Sequence, residues 1–396
     1  MNRRCVLFVL GLACLIQSDA TVHAQSSEPF HAVRRFTGKF QESIQAFDIS
    51  PDGNLLALLF ESESAKNGWV RIEIQSLARE MVLKDLKFAV DLRPDEQHFP
   101  WYVPHLEFSA DQRFLVIQDS HSIRVLSLAN YQVERTFTSP RKELSLPSSI
   151  AGAASGDRFL VSYGRNVPNR SALDTLRSPL NYNELIDISD GSRFPGWESQ
   201  DIPESISPDG KLALVSDWSE NKNLVEIGIV ETLTGKPLVK LHSGFAYKKP
   251  WDADPVGIVV GRFLSNSEVL LSPDGHFDKS GHKAGKGFKV IRISDGRVLR
   301  EMRPDYFGPT GDLGTSSNRN TFFSPNVYSS PADARVHDVF DKMPELLIYK
   351  DLLSKPKTYR LAFPNTEGPF LTARVSNDAS VVAVGLEEGI TIFQRK

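Results

Sequence analysis

Between Phe47 and Phe60 the chain reads FDISPDGNLLALLF, two short apolar runs separated by Ser-Pro-Asp-Gly. Proline presets φ for a turn, Asp52 can bond its own backbone, and Gly53 accepts a left-handed position, so the stretch predicts a strand pair. The same pattern returns at Ser109 (SADQRFLVIQD), Ser155 (SGDRFLVSYG), Ser207 (SPDGKLALVSD), Ser265 (SNSEVLLS), Ser324 (SPNVYSS) and Ser376 (SNDASVVAVG), at intervals of 46 to 59 residues. Ser324 is placed by spacing more than by its letters. Each anchor serine is followed by an alternating apolar run that reads as a third strand: WVRIEIQSL from Trp69, SIRVLSL from Ser122, ELIDIS from Glu184, LVEIGIVE from Leu224, FKVIRIS from Phe288, ELLIYKD from Glu345 and GITIFQR from Gly389. A turn and one more short strand usually follow, as in SDGRVLREM and LTGKPLVKL. A repeated four-stranded meander cannot bury its faces alone and must stack on its neighbours.

The last repeat runs out after its third strand, and HAVRRFTGKF from His31 reads like the fourth-strand segment YQVERTFTSP from Tyr131. An N-terminal strand that completes the last unit leaves no open edge. The expected fold is all-β: a β-propeller of seven four-stranded blades in which the N-terminal strand completes the last blade. Six or eight blades follow if the Ser324 or Ser155 unit is misassigned. On these turn-and-strand units the chain resembles WD40-like propellers, including exported TolB-type and YVTN-type relatives. It departs from the WD40 pattern in having no Gly-His before the first strand and no Trp-Asp after the third. The resemblance implies a scaffold or binding platform more often than an enzyme, because function resides in sites grafted on such a fold.

The first residues change the picture of where the protein works. MNRRCVLFVLGLACLIQSDATVHAQ places two arginines before an apolar run from Val6 to Ile16 and ends in Val22-His23-Ala24. This is the order of a secretory signal peptide, residues 1–24, cleaved after Ala24. The apolar run is shorter than the roughly 20 residues a bilayer span needs. An exported protein of the periplasm, cell surface or exterior is expected, with residues 25–396 as one propeller domain. Gly11-Leu12-Ala13-Cys14 fits a lipoprotein box only loosely, because Leu15 and Ile16 carry the apolar run past the cysteine, so lipid anchoring is not expected. Cys5 and Cys14 both lie in the removed segment, which excludes disulfides, a thiol nucleophile and cysteine-bound metals from the remainder. Losing Arg3, Arg4 and Asp19 takes the formal charge from −3 to −4, with no basic run to suggest nucleic acid.

Among motifs that carry chemistry, the chain has no G-x-S-x-G, H-E-x-x-H, Walker loop or G-x-G-x-x-G. Ser139–Lys142 and Ser354–Lys357 match S-x-x-K by letter, in loop-like contexts. The candidate site is instead the face where inter-blade loops converge with the loops joining second and third strands. Inter-blade loops there carry Trp101, Tyr102, Trp197, Tyr247, Trp251, Tyr306 and Phe307, a set of rings able to stack a ligand or anchor a protein. The same rings can equally cap their own blades, burying area worth about 1.5 to 3 kcal/mol each. Arg165, Arg170 and Arg177, in the loop after Tyr163, could receive a carboxylate or phosphate there.

SPDGHFDKSGHK, from Ser272, offers Asp274, His276, Asp278 and His282, a donor set suited to zinc or another divalent transition ion. A solvated polar loop explains those letters equally well, and no cofactor is required by anything else in the chain. The leading functional expectation is a non-catalytic scaffold that binds a protein or a small ligand, with no nucleic-acid partner and no transmembrane segment after cleavage. The alternative is a hydrolase or lactonase-like propeller enzyme, with or without a bound metal, using those four residues with nearby His98 and His105.

Overall fold

The computed structural model describes residues 30–38, 42–62, 69–89, 104–119, 122–141, 144–152, 157–165, 181–199, 203–217, 224–246, 259–273, 288–302, 314–315, 322–326, 345–349, 357–361, 370–386 and 389–395. Among them all regular structure is strand, and every strand pair is antiparallel. The strands form seven four-stranded sheets. The first joins Glu42–Ile49, Leu55–Ser62, Trp69–Ser76 and Met81–Ala89; the second joins His105–Phe108, Phe114–Gln118, Ser122–Ser127 and Val133–Thr138. The third comprises Leu144–Gly152, Arg158–Arg165, Asn181–Asp187 and the short Trp197–Ser199, and the fourth Pro203–Ile206, Leu212–Asp217, Leu224–Glu231 and Pro237–Ala246. Val259–Ser265, Glu268–Pro273, Phe288–Arg292 and Val298–Met302 make the fifth; Gly314–Thr315, Phe322–Asn326, Glu345–Tyr349 and Lys357–Arg360 make the sixth. In the seventh, Phe370–Val375, Val381–Leu386 and Gly389–Arg395 are completed by Phe30–Phe36, with Phe30 opposite Arg395 and Phe36 opposite Ile390.

Burial grades across each sheet as stacking requires. In the first, Leu56 to Phe60 are all buried, because both faces of that strand meet a neighbouring sheet. The outermost strand, Met81–Ala89, is mostly exposed or half-buried. Six apolar clusters fill seams between consecutive sheets: first to second, second to third, third to fourth, fourth to fifth, sixth to seventh, and seventh to first. First strands of neighbouring sheets meet between the first and second, third and fourth, fourth and fifth, sixth and seventh, and seventh and first sheets, which places them innermost there.

The anchor serines explain the repeat. Ser207 Oγ donates to Asp209 Oδ1 at 2.7 Å and accepts the Leu212 N–H at 2.9 Å, while Asp209 Oδ1 accepts the Lys211 N–H. The same three bonds recur around Ser50–Asp52, Ser109–Asp111 and Ser376–Asp378. Partial burial pushes these four carboxyls up, but the hydroxyl and turn N–H donors outweigh it and hold each below its ordinary value. The turns also lock to their neighbours: the Asn377 N–H donates to Pro51 O, the Asp209 N–H to Asn266 Oδ1, and Arg113 pairs with Asp157 at 2.8 Å. The Ser265 turn lacks the aspartate, and Ser265 Oγ meets Ser267 there instead. Ser324 is not a turn residue: it lies inside Phe322–Asn326 opposite Leu347, so spacing alone misplaced that anchor. Ser155 lies outside the described residues.

Candidate functional site

Two residues before three of the anchor serines the innermost strands carry charge: Asp48, Glu107 and Arg374. These strands belong to the first, second and seventh sheets, which are consecutive, so the repeat offset brings the three side chains to one stretch of wall. The Asp48 carboxylate is the deepest. Its Oδ2 accepts the Phe108 N–H of the second sheet at 2.8 Å, and its Oδ1 lies 3.8 Å from Arg374 Nε of the seventh. Burial pushes the Asp48 carboxyl up; Arg374 and the Phe108 N–H oppose this and Glu107 adds to it, leaving it at about 7.

His105 extends the cluster, with Nε2 at 2.8 Å from Glu107 Oε2. The side chains of His105, Glu107 and Arg374 are 28 %, 35 % and 42 % exposed, against 10 % for Asp48. Glu107 also reaches the third sheet, where a Cβ on Gly152 would fall 2.7 Å from its Oε1 and 2.8 Å from the Phe159 ring. Farther round the wall, Glu204 Oε2 accepts the Gly261 N–H at 2.8 Å and Ser205 Oγ the Phe263 N–H at 3.2 Å, binding fourth sheet to fifth. The wall thus presents an imidazole, a carboxylate and a guanidinium above a buried carboxyl, groups able to hold protons and to pair with charges of either sign.

The other charged clusters hold sheets rather than face the wall. Arg71 pairs with Glu42 at 2.6 Å, Glu73 at 2.7 Å and Asp85 at 3.3 Å, and stacks over Phe60 at 4.0 Å. Glu184 accepts from the Tyr163 hydroxyl and pairs with Arg193, which also donates to Thr138 O across the second-to-third seam. Burial pushes the Tyr163 phenol up, and the Glu184 charge adds to it. Buried Asp119 pairs with Arg124, which lies over Phe88 of the first sheet.

Of the aromatic residues expected at the site, Trp197 alone is described, and it lies in the outermost strand of the third sheet rather than in a loop. Its Nε1 donates to Thr232 O at 2.9 Å, and its ring packs against Gly235, where an added Cβ would fall 2.4 Å away. The next sheet's turn is gripped in this same position by Arg135, which donates to Ile188 O and Ser189 O beside Gly191, and by Leu241 against Gly296. Trp197 is thus an inter-sheet strut. Arg165 ends the strand Arg158–Arg165 opposite Leu144, and Tyr163, the expected start of its loop, is a buried strand residue. Trp101, Tyr102, Tyr247, Trp251, Tyr306, Phe307, Arg170, Arg177, His98, Asp274, His276, Asp278 and His282 lie outside the described residues, as do residues 1–29. Among the described residues no three His, Cys, Asp or Glu side chains gather as metal ligands, and no helix is long and apolar enough to cross a membrane. Ser139 Oγ donates to Arg141 O at 2.8 Å, a turn contact.

No protein-family model matches the chain, and no curated protein does. A solved structure of hydrazine synthase from Kuenenia stuttgartiensis aligns over 95 % of this chain and 98 % of its own, with a TM-score of 0.54 and 12 % identity. The fold is a β-propeller. The C-terminal WD40 domain of Sif2 aligns over 91 % of this propeller and 84 % of its own chain, at TM-score 0.45 and 10 % identity. Identities this low speak for the fold of the propeller and leave its chemistry to its own residues.

Proposed function

We propose that this propeller is an exported, non-catalytic scaffold, closed as a ring of seven blades, that binds a protein or small ligand on the face around its innermost strands. The observation that carries the reading is the wall itself: His105, Glu107 and Arg374 offer half-exposed groups of both signs from neighbouring innermost strands. The Arg71, Glu184 and Asp119 clusters serve the packing of the sheets instead. WD40 domains commonly bind proteins, and the aromatic loops that begin at Asp95, Phe245 and Arg303 would supply anchors above the wall.

The test is capture from the exported fraction with purified protein and with a Trp101→Ala/Trp251→Ala variant of unchanged circular dichroism. A partner held by the first and lost by the second supports the reading; equal capture by both refutes the aromatic anchor. Export itself requires the mature N-terminus to begin at Gln25, which N-terminal sequencing decides. One observation favours a second reading: His105 held at 2.8 Å by Glu107 is the arrangement of a base with its orienting carboxylate. A hydrolase or lactonase-like activity toward an ester panel that disappears in His105→Ala would displace the scaffold reading, and stoichiometric metal in the purified protein would point to Asp274, His276, Asp278 and His282 as its ligands.

A further inference from the structure

We infer that a proton on Asp48 switches Arg374 between a partner at the seam and a charge presented to the wall. The geometry places one carboxyl at the meeting of three innermost strands: its own, that of Phe108, whose N–H it accepts at 2.8 Å, and that of Arg374, 3.8 Å away. With Asp48 ionised, the guanidinium is drawn to a buried negative charge. With Asp48 neutral that attraction is gone, the Phe108 bond persists because a carboxylic acid still accepts, and Arg374, already 42 % exposed, turns its charge to the wall.

Among the described residues, the charged groups facing Asp48 come from two neighbouring sheets. The seventh sheet contributes Arg374, and the second contributes Glu107 with His105 bonded to it. On the neighbouring strand of its own sheet Asp48 lies opposite Ala57, and Glu61 sits toward the far end, opposite Ser43. On its own chain Asp52 is engaged with Ser50 and Asn54, and Glu42 with Arg71. Burial opposes ionisation, Arg374 favours it and Glu107 disfavours it, and the balance sets the change near pH 7. The folded value stands above the ordinary 3.8, so the stability Asp48 contributes is full below about pH 4 and is lost as pH rises through about 7.

The measurement is the rate of phenylglyoxal modification of Arg374 relative to exposed Arg79 in the same sample, read by peptide mass spectrometry from about pH 6 to about pH 8.5 across the Asp48 transition. The expected ratio falls several-fold with rising pH in the wild-type protein and stays at its higher level in Asp48→Asn. Equal pH dependence in both proteins overturns the inference. Should Asp48→Asn fail to fold, Glu107→Gln decides: removing the repelling charge must move the fall in the ratio to lower pH, and an unmoved profile overturns the inference equally. Melting temperature provides a second reading, falling between about pH 4 and 7 in the wild type and continuing to fall to higher pH in Arg374→Gln, which removes the charge that favours ionisation.

Discussion

Replacing Ser207 by alanine tests whether the repeated turn is held by its hydrogen bonds or merely permitted by its letters. Ser207 is fully buried, and its hydroxyl does two things at once: it donates to the Asp209 carboxylate at 2.7 Å and accepts the Leu212 N–H at 2.9 Å. The variant loses a bond to a charged acceptor and leaves a strand N–H unpaired, which together cost about 2 to 4 kcal/mol. For a chain of 396 residues the unfolding entropy is about 0.8 kcal/mol per kelvin, so the melting temperature falls by roughly 2 to 5 °C.

The pH dependence is specific. The hydroxyl helps hold the Asp209 carboxyl below its ordinary value, so that share of stability is present above about pH 4 and is lost as pH falls through the depressed folded value. The gap between wild type and Ser207→Ala therefore narrows in acid. Differential scanning calorimetry at neutral and acid pH reads both effects, with Ser267→Ala as the control, since its turn contains no aspartate. A loss below about 0.5 kcal/mol, or an equal loss in the control, refutes the assignment of this turn's stability to the serine–aspartate pair.

Two further outcomes follow from contacts already described. Gly235 and Gly296 share a left-handed φ of +66, but an added Cβ meets the Trp197 ring at 2.4 Å in the first and only Leu241 Cδ2, at 3.9 Å, in the second. Gly296→Ala should cost the backbone penalty of about 1 to 2 kcal/mol, and Gly235→Ala distinctly more, in urea titration; equal costs would show that Trp197 is not a strut. Arg71→Ala should destabilise by about 3 to 5 kcal/mol, because it strands Glu42 and Glu73 beside an apolar strand, and Glu42→Gln in that background should recover part of the loss.

The repeat was readable because its turn chemistry is local. Ser50, Ser109, Ser207 and Ser376 each bond an aspartate two residues on, and such short-range bonds leave their letters in the sequence. Without the aspartate the signal is weaker: Ser265 still closes its first strand at the turn, while at Ser324 spacing pointed into a strand. The pairing of the strand that begins at Phe30 with the Gly389–Arg395 strand was equally legible, since edge physics demands a partner and the composition supplied one. The wall was not. Asp48 and Arg374 are each flanked by apolar letters near the ends of their strands, and their meeting depends on which sheets become neighbours. The one available sign was that Asp48, Glu107 and Arg374 share an offset of two before the anchor serine. Trp197 illustrates the opposite error: its flanking Pro195-Gly196 suggested a loop, while its ring was committed to the turn of the next sheet.

The strand Phe30–Phe36, lying against Gly389–Arg395, carries a consequence for biosynthesis. Phe30–Phe36 is synthesised well before Gly389–Arg395 and waits without its partner until that strand has been made, and the seventh sheet cannot assemble before then. The seventh sheet therefore cannot form progressively from its N-terminal strand onward. Stop codons or cleavage within Phe370–Arg395 should therefore be felt at Phe30 and Phe36, more than 300 positions away in the sequence, as two buried rings returned to water.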